Sequence, residues 1–587
     1  MMRRSLVATS VSEWIGRRLN ASPRSRSSLL SVAFLGLFWV SLLSAPAATT
    51  PATPPPAPLP TTAELAQRVV ILANSDDPDS LRIARHYAEV RGVPAANIVA
   101  LKLPRNETIS WREFIDQVWN PLAAHLIREK WIEAIVGDNK DVLGRQKYAV
   151  YGHRISALVT CRGVPLRINN DGELFAKAPP AFARQAEFRT NQGAVDAELS
   201  LLAVPTYTIN GFMPNPLFQK DRPAPFDIAQ VVKVSRLDGP TVESALVLVD
   251  HAVEAERTGL LGRAYIDISD KYPEGNAWLE DAAKQLTALG FDTAIDRAPT
   301  TLSAAARIDA PVLYFGWYAG AVDGPFLLPN FQFPPGAIAL HIHSFSADTL
   351  RSPTNGWTAP FVARGVTATV GNVFEPYLSF THHPHLFLRA LARGATLVDA
   401  AYYSLRALSW QQVLIGDPLY RPFAVPLEEQ LKPQPAPSRL AGYAVLRQMH
   451  LLDRVKREIE ATALAVAAQR AQPSLALGVA VARRLQARGD RSGAAEALAF
   501  ASNLVLLPAD EWALTREAAR LLEANGAATR AVAVWRILLA QRNIPAELRT
   551  AWLPEARRAA QAASDPTQAA FWQKEIEARG PAAPGTK

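Results

Sequence analysis

Short apolar runs that end in polar or glycine-containing loops recur over the first two thirds of the chain. The runs at residues 69–73, 311–315 and 336–340 are almost entirely apolar, a pattern typical of strands that bury both faces of a sheet. Amphipathic helical stretches such as residues 278–289 alternate with them. The alternation predicts an α/β fold with a mostly parallel, doubly wound sheet over residues 63–425.

The last part of the chain has a different pattern. From residue 440 onward it is rich in Ala, Leu, Arg and Glu, and the turn residues Gly489 and Gly526 lie 37 positions apart. A helix–turn–helix unit repeated at this period resembles tetratricopeptide-type repeats, which bind proteins or peptides. We therefore predict a linker at 426–439 and an all-α helical-repeat domain at 440–587. The repeat could bind a protein partner or could serve as a packing cap on the α/β domain.

Two segments of the α/β region depart from the alternation. The loop that contains Asp76, Asp77 and Asp79 could hold a cation through its carboxylates, or it could cap the next helix through Ser80 or Asp79. Residues 169–227 are irregular and rich in Pro and Asn, which predicts an insertion or a lid beside the sheet.

The N-terminal residues have the pattern of a secretory signal. Residues 1–28 are rich in Arg and Ser, and the apolar run at 29–43 is followed by a small-residue end at Ala47. This predicts a signal peptide at 1–47, with an uncleaved anchor as the alternative. A stiff proline-rich linker follows at 48–62. We expect an exported protein of the periplasm, cell envelope or exterior, with no transmembrane domain after signal removal.

The net charge and the cysteine content argue against a nucleic-acid partner and against an internal disulfide. The 587 residues carry a net charge of +8, but six Arg and one Glu in residues 1–47 account for most of it. The remainder is too weakly basic to predict a nucleic-acid partner. The single cysteine, Cys161, excludes an internal disulfide, and its apolar surroundings predict a buried thiol.

Most of the residues that could act in catalysis or ligand binding lie in residues 311–423. Predicted strands there end in Trp317, in His343 and in the loop that carries Glu375. Polar residues beyond the carboxyl ends of parallel strands line the ligand crevice of open α/β sheets. Five of the ten histidines also fall in this stretch, so we expect the functional site here.

The order of these pieces resembles the gingipain-like branch of the caspase-fold cysteine peptidases. In that branch, one strand ends in a Gly-His-Gly-type loop that supplies the catalytic His, and the next strand ends in the catalytic Cys. The corresponding pieces here are Gly316-Trp-Tyr-Ala-Gly320 and His343-Ser-Phe-Ser346, followed by a glycine-containing strand and by Gly416-Asp-Pro418. The resemblance implies a caspase/gingipain-like α/β domain. Trp317 stands where the family has His, and Ser344 or Ser346 where it has Cys, so the standard dyad is not matched.

Several motifs together are similar to a family of exported bacterial proteins found in genomes with the exosortase (PEP-CTERM) sorting system. They include Asn74-Ser-Asp-Asp-Pro-Asp-Ser80, Arg162-Gly-Val-Pro-Leu-Arg167 and Gly371-Asn-Val-Phe-Glu-Pro-Tyr377. The resemblance covers about residues 68–423. It implies a role in the envelope or in surface protein export, and it implies no particular reaction.

Three hypotheses use the residues of this stretch. In a serine hydrolase, a serine hydroxyl would attack the substrate. A histidine would act as the base that takes its proton, and a carboxylate would orient the imidazole. The candidate catalytic residues are His343, Ser344, Ser346 and Glu375. In a metal-dependent hydrolase, His341 and His343 would share one face of a strand and bind a divalent metal. Glu375 and one of His382, His383 or His385 could complete the ligand set.

The third and leading hypothesis is binding without catalysis. Trp317 cannot accept a proton from a nucleophile, and serine is a poor substitute for a thiolate. Large aromatic and polar residues around the crevice would still bind an extended peptide or a glycan. The candidate binding residues are Trp317, Tyr318, Asp323, Arg351, Trp357 and Tyr377. Hydrolysis, by Ser344 with His343 or by a histidine-rich metal site, is the alternative.

Overall fold

The computed structural model of the chain describes residues 60–178, 188–432 and 438–579. The predicted signal peptide and nearly all of the predicted linker at 48–62 lie outside the described residues. From Thr62 onward the described residues belong to one compact unit. Within them, no helix is both long enough and apolar enough to cross a membrane.

Ten strands form one large sheet. In chain order, all the strands of the described residues are β1 (Val69–Asn74), β2 (Ile98–Leu101), β3 (Thr108–Ile109), β4 (Ile132–Lys140), β5 (Gln146–His153), β6 (Ala157–Cys161), β7 (Arg167–Ile168), β8 (Gly193–Ala194), β9 (Met213–Pro214), β10 (Val234–Leu237), β11 (Arg263–Asp267), β12 (Thr293–Asp296), β13 (Pro311–Gly316), β14 (Ile338–His341), β15 (Ala368–Asn372), β16 (Ala407–Leu408) and β17 (Gln412–Gly416). The large sheet has the order β12-β11-β13-β14-β15-β17-β10-β6-β1-β2. Every residue of β1, β6 and β13 is buried, as expected for strands covered on both faces. Cys161 lies in β6 and is buried, and this burial raises the pKa of its thiol.

Most neighbouring strands of this sheet are parallel. The pairs β1–β2, β6–β10, β11–β13 and β13–β14 are parallel, while β15 and β17 pair antiparallel over five residue pairs. The predicted class, an α/β domain with a mostly parallel sheet followed by a helical region, is confirmed at this level.

Helices pack on the sheet in two groups. The helices before residue 440 are α1 (Thr62–Ala66), α2 (Pro78–Arg91), α3 (Trp111–Glu113), α4 (Asn120–Arg128), α5 (Gly172–Lys177), α6 (Val195–Leu199), α7 (Pro225–Ala229), α8 (Val242–Thr258), α9 (Pro273–Ala288), α10 (Thr358–Ala363), α11 (Pro384–Ala392), α12 (Leu397–Ser404) and α13 (Leu427–Gln430). A π-helical turn joins α3 to α4. Helix α8 contacts both α2 and α10, and in the second group α11 contacts both α9 and α12.

Loops after several strands meet at one edge of the sheet. Leu350, which follows β14, donates its N–H to Glu107, which follows β2, at 2.8 Å. Arg351 pairs with Asp238, which follows β10, at 2.5 Å. These contacts bring loops from distant parts of the sequence together at the carboxyl ends of parallel strands, where open α/β sheets bind their ligands.

The aspartate-rich loop after β1 caps a helix. Asp77 is the N-cap of α2, and its Oδ1 accepts the N–H of Asp79 at 3.0 Å. Ser80 Oγ instead accepts the N–H of Asn74 at 2.9 Å. The structure therefore shows the cap interpretation, with Asp77 as the capping residue in place of Ser80 or Asp79.

The described part of residues 169–227 contributes to the core as well as to the surface. Helix α6 contacts β10 and β17, and its Asp196 accepts two hydrogen bonds from the fully buried Arg236, at 2.9 and 2.6 Å. A buried guanidinium requires such a carboxylate partner. This segment therefore supplies a structural charge to the sheet, which its irregular sequence did not predict.

Three strands of the large sheet, β10, β12 and β17, had no prediction from the sequence because their apolar runs are short. The apolar run at residues 132–136 predicts a further strand of the α/β region. It lies in β4, which pairs only with β5 in a separate antiparallel hairpin. Most side chains of β4 are exposed there.

Within residues 438–579, the helical region contains four helix pairs. They are α14 (Ala441–Arg454) with α15 (Glu458–Ala471), α16 (Leu475–Ala487) with α17 (Arg491–Ala497), α18 (Trp512–Ala524) with α19 (Ala528–Leu539), and α20 (Ala546–Ala562) with α21 (Pro566–Arg579). Gly489 and Gly526 occupy equivalent turns of the second and third pairs, with φ of 82° and 81°. Lys456 and Ser564 adopt the same left-handed conformation in the first and last pairs. The repeated turn was thus visible in the sequence only where it carries glycine.

The helical array is docked on the α/β domain. Tyr443 donates its hydroxyl hydrogen to buried Asp309 at 2.6 Å, and Asp510 accepts the N–H of Ala310 at 2.9 Å. Arg447 Nε donates to the carbonyl oxygen of Leu289, at the end of α9, at 2.8 Å. The array therefore packs against the domain, and binding of a partner by it stays a prediction.

Candidate functional site

Two neighbouring parallel strands carry the centre of the candidate site. Strands β13 and β14 pair so that Gly316 lies opposite His341. The loop after β13 contains Trp317, Tyr318 and Gly320, and a Cβ on Gly320 would lie 3.8 Å from the ring of His343. The loops that the sequence predicted to converge therefore lie side by side.

His341 is held in a buried hydrogen-bond chain. Its Nε2 accepts the N–H of Ala319 at 3.1 Å, and its Nδ1 lies 3.0 Å from the hydroxyl of Tyr314. Because an amide can only donate, Nε2 is unprotonated and Nδ1 carries the hydrogen. The Tyr314 hydroxyl then donates to Asp267 at 3.1 Å. Burial, reinforced by His343, holds the pKa of His341 well below its usual value, so the ring is neutral.

The two tryptophans predicted to bind a ligand are core residues. Trp317 is 1% exposed, and its Nε1 donates to Asn276 at 2.9 Å. The peptide bond between Trp317 and Tyr318 is cis. Trp357 is equally buried and stacks on His341 with ring centroids 3.6 Å apart. In this structure neither ring lines a surface that a ligand could reach.

Ser344 and His343 are adjacent without forming a catalytic pair. Ser344 Oγ donates to Glu375 Oε1 at 2.7 Å. His343 Nδ1 lies 2.6 Å from the main-chain oxygen of Ser344, so this nitrogen donates to the carbonyl. The imidazole is therefore not bonded to the hydroxyl that it would have to activate. Glu375 is the group in contact with that hydroxyl.

Five partly exposed residues lie on the loops after β13, β14 and β15, and we call Tyr318, His343, Phe345, Glu375 and Tyr377 the strand-end surface. The rings of Tyr318 and His343 lie 4.6 Å apart. Glu375 Oε1 also accepts the N–H of Tyr377 at 3.2 Å. Phe345 is 46% exposed and Tyr377 is 37% exposed. Burial, with Tyr272 and Glu375 nearby, raises the pKa of Tyr318. The surface combines aromatic faces with one carboxylate and one imidazole.

Other predicted site residues have structural partners away from this surface. Ser346 is buried, and its Oγ accepts a main-chain N–H from β15 at 3.0 Å. Arg351 forms an ion pair with Asp238. Asp323 accepts a hydrogen bond from the hydroxyl of Thr301 at 2.5 Å. The side chains of these three residues are bonded to partners outside the strand-end surface.

The three-histidine metal site is not assembled. Both ring nitrogens of His341 have partners within the chain. His382 is buried, and this burial lowers its pKa to about 3. His383 stacks on Trp278 with ring centroids 3.9 Å apart. Across residues 60–178, 188–432 and 438–579, no group of three or more His, Cys, Asp or Glu side chains is arranged to hold a metal ion.

Lys271 and Tyr272 belong to the site and had no prediction from the sequence. Lys271 Nζ lies 5.5 Å from the centre of the Tyr318 ring, and Tyr272 packs edge-on against the same ring at 6.0 Å. Both residues follow β11, so the rule that joins strand ends to the crevice could have found them.

Comparison with known proteins leaves the family open. No protein-family model matches the chain, and no curated protein matches it. A match among solved structures is a Podosopora anserina protein described as a kinesin light chain with nearly identical TPR-like repeats. It is 24% identical, and the match covers 26% of this chain and 81% of that chain with a TM-score of 0.19. The likeness is consistent with a helical-repeat region, and at this TM-score it supports nothing further.

Proposed function

We propose that the chain is an exported, envelope-associated binding protein whose α/β domain is of the caspase/gingipain type but lacks the Cys/His pair. Neighbouring parallel strands end in the loops of Trp317 and Ser344, where that family has His and Cys. A buried tryptophan cannot act as a base. Loss of the dyad leaves the position of the crevice intact, and with it a role in ligand capture.

The strand-end surface is the observation that carries this proposal. Its aromatic rings have faces that are partly exposed to solvent, with Phe345 46% and Tyr377 37% exposed. Such faces stack on sugar rings or pack against apolar peptide side chains. Lys271 and Glu375 add one positive and one negative group, which can fix the orientation of a polar ligand. We therefore propose a peptide or a glycan of the cell surface as ligand. The helical array would contact a protein partner in surface protein export.

The test is a direct binding measurement. The purified protein is screened on peptide and glycan arrays, and the dissociation constant of the best ligand is then measured by calorimetry. Tyr318→Ala should weaken binding about tenfold or more, because an aromatic anchor at the centre of an interface carries much of its energy. Tyr151 is the matched control, since it is 68% exposed on the separate β4–β5 hairpin. Equal losses in Tyr318→Ala and Tyr151→Ala, or no ligand on either array, would overturn the proposal.

A serine hydrolase is the second candidate, and one contact favours it. Glu375 accepts the hydrogen of Ser344 Oγ at 2.7 Å and could take the proton as the oxygen attacks an acyl carbon. A fluorophosphonate probe should then label the wild type and fail to label Ser344→Ala. Glu375→Gln should slow the labelling, and His343→Ala should leave it largely unchanged. Absence of labelling in the wild type would remove this candidate and leave the binding proposal standing.

A further inference from the structure

A cavity of about 180 Å³ lies between the helical array and the α/β domain. Ala305 and Arg307 form its wall on the α/β side. Arg483 of α16 and the side chains of α18 form the other wall. Pockets for drug-sized ligands span roughly 300–1,000 Å³, so this one accommodates a single chemical group.

One stripe of α18 faces the cavity. The lining residues Ala513, Arg516, Glu517 and Arg520 have the spacing i, i+3, i+4 and i+7, which places them on one side of a helix. Neighbours on the other side, such as Leu514, are buried in the array. The small Ala513 side chain leaves room at the N-terminal end of this stripe.

The cavity has more positive than negative charge. Four arginines and one glutamate line it. Arg307 is paired with Asp309 at 2.5 Å, and Arg516 is paired with Glu555 at 2.6 Å. Within the cavity, Glu517 forms ion pairs with Arg483 at 2.6 Å and with Arg307 at 3.6 Å. These three carboxylates leave one positive charge in excess, and Arg520 lies exposed at the rim.

We propose that this cavity binds an anionic oxygen group, a carboxylate or a phosphate, and that Glu517 occupies part of the site when the ligand is absent. Guanidinium groups favour oxyanions because they donate parallel N–H bonds to two oxygens at once. Entry of the ligand would shift Arg483 from Glu517 to the ligand oxygens. The site is independent of the strand-end surface and does not rest on the function proposed for it.

The test is calorimetry on the full protein with two probes, inorganic phosphate and a tri-glutamate peptide. Arg483→Ala should weaken binding about tenfold, as loss of a charged hydrogen bond does. That side chain is 60% exposed, so the fold should tolerate its removal. Glu517→Gln removes the internal competitor and should tighten binding. Ala513→Leu fills the cavity without a change of charge and should abolish binding, while the distant Arg530→Ala should leave it unchanged.

The two probes separate the possible sources of the anion. Tighter binding of phosphate identifies a phosphate ligand, and tighter binding of the peptide identifies an acidic segment of a protein. Salt should weaken either interaction, because screening reduces the attraction between charges at the open rim. Binding that persists in Ala513→Leu, or no binding of either probe to the wild type, would overturn the proposal. Melting temperatures of all variants show whether a loss reflects unfolding.

Discussion

The substitution His341→Ala distinguishes most directly between a structural and a metal-binding histidine. Removal of the imidazole leaves the part-buried N–H of Ala319 without its acceptor, which costs up to about 3 kcal/mol. It also removes the stacking on Trp357, which is worth about 0.5–1.5 kcal/mol. We therefore expect the free energy of unfolding to fall by about 2–4 kcal/mol. The metal content should not change.

Urea unfolding, followed by tryptophan fluorescence, measures the fall in the free energy of unfolding. Mass spectrometry of the same samples measures their metal content. The control is His86→Ala, whose ring pairs with Asp250 at the surface at 2.7 Å. An exposed pair of this kind contributes less than about 1 kcal/mol. If His341→Ala were no more destabilising than His86→Ala, the buried chain would not have the structural role assigned to it. Stoichiometric zinc, manganese or iron that disappeared in His341→Ala would equally refute the reasoning.

Three further predictions concern stability elsewhere. Burial lowers the pKa of His382 to about 3, so only the unfolded state takes up a proton near pH 6.5. The stability advantage of wild type over His382→Gln should be full above pH 6.5 and about 2 kcal/mol smaller at pH 5, as urea unfolding at both pH values would show. Gly526→Ala should cost about 1 kcal/mol and Ser564→Gly should be stabilising, because both positions have positive φ; melting shifts of the same sign would contradict this. Arg236→Met leaves Asp196 unpaired in the core and should cost about 3–5 kcal/mol, and a double variant with Asp196→Leu should recover part of that loss in guanidinium unfolding.

Much of the fold could be predicted from local pattern. The apolar runs of β1 and β13 are long enough to identify buried strands, and the glycines at 489 and 526 mark turns that only a left-handed residue can make easily. Short strands such as β17 escaped prediction, because its apolar run covers only residues 413–415 and so carries little periodicity. The apolar run in β4 predicts a strand, but the pattern does not show that this strand pairs with β5 outside the large sheet.

The candidate site, too, could be predicted from the sequence only in part. The sequence determined that residues after β13 and β14 would meet, because adjacent parallel strands end at the same edge of a sheet. It could not determine which of these side chains reach solvent. Trp317 and Tyr318 are consecutive, yet Trp317 is buried against α9 and Tyr318 lies on the strand-end surface beside His343.

The sequence by itself determined the class of the fold, the repeated helix pairs and the edge of the sheet at which the candidate site lies. All three follow from short-range patterns of apolar and turn-forming residues. Only the tertiary structure decided that His341 is a structural residue, that Ser344 is bonded to Glu375 instead of His343, and that the helical array is docked on the α/β domain. The physical reason is that each of these outcomes depends on a hydrogen bond between residues distant in the sequence or on the path of a loop. A linear pattern of residue types specifies neither of them.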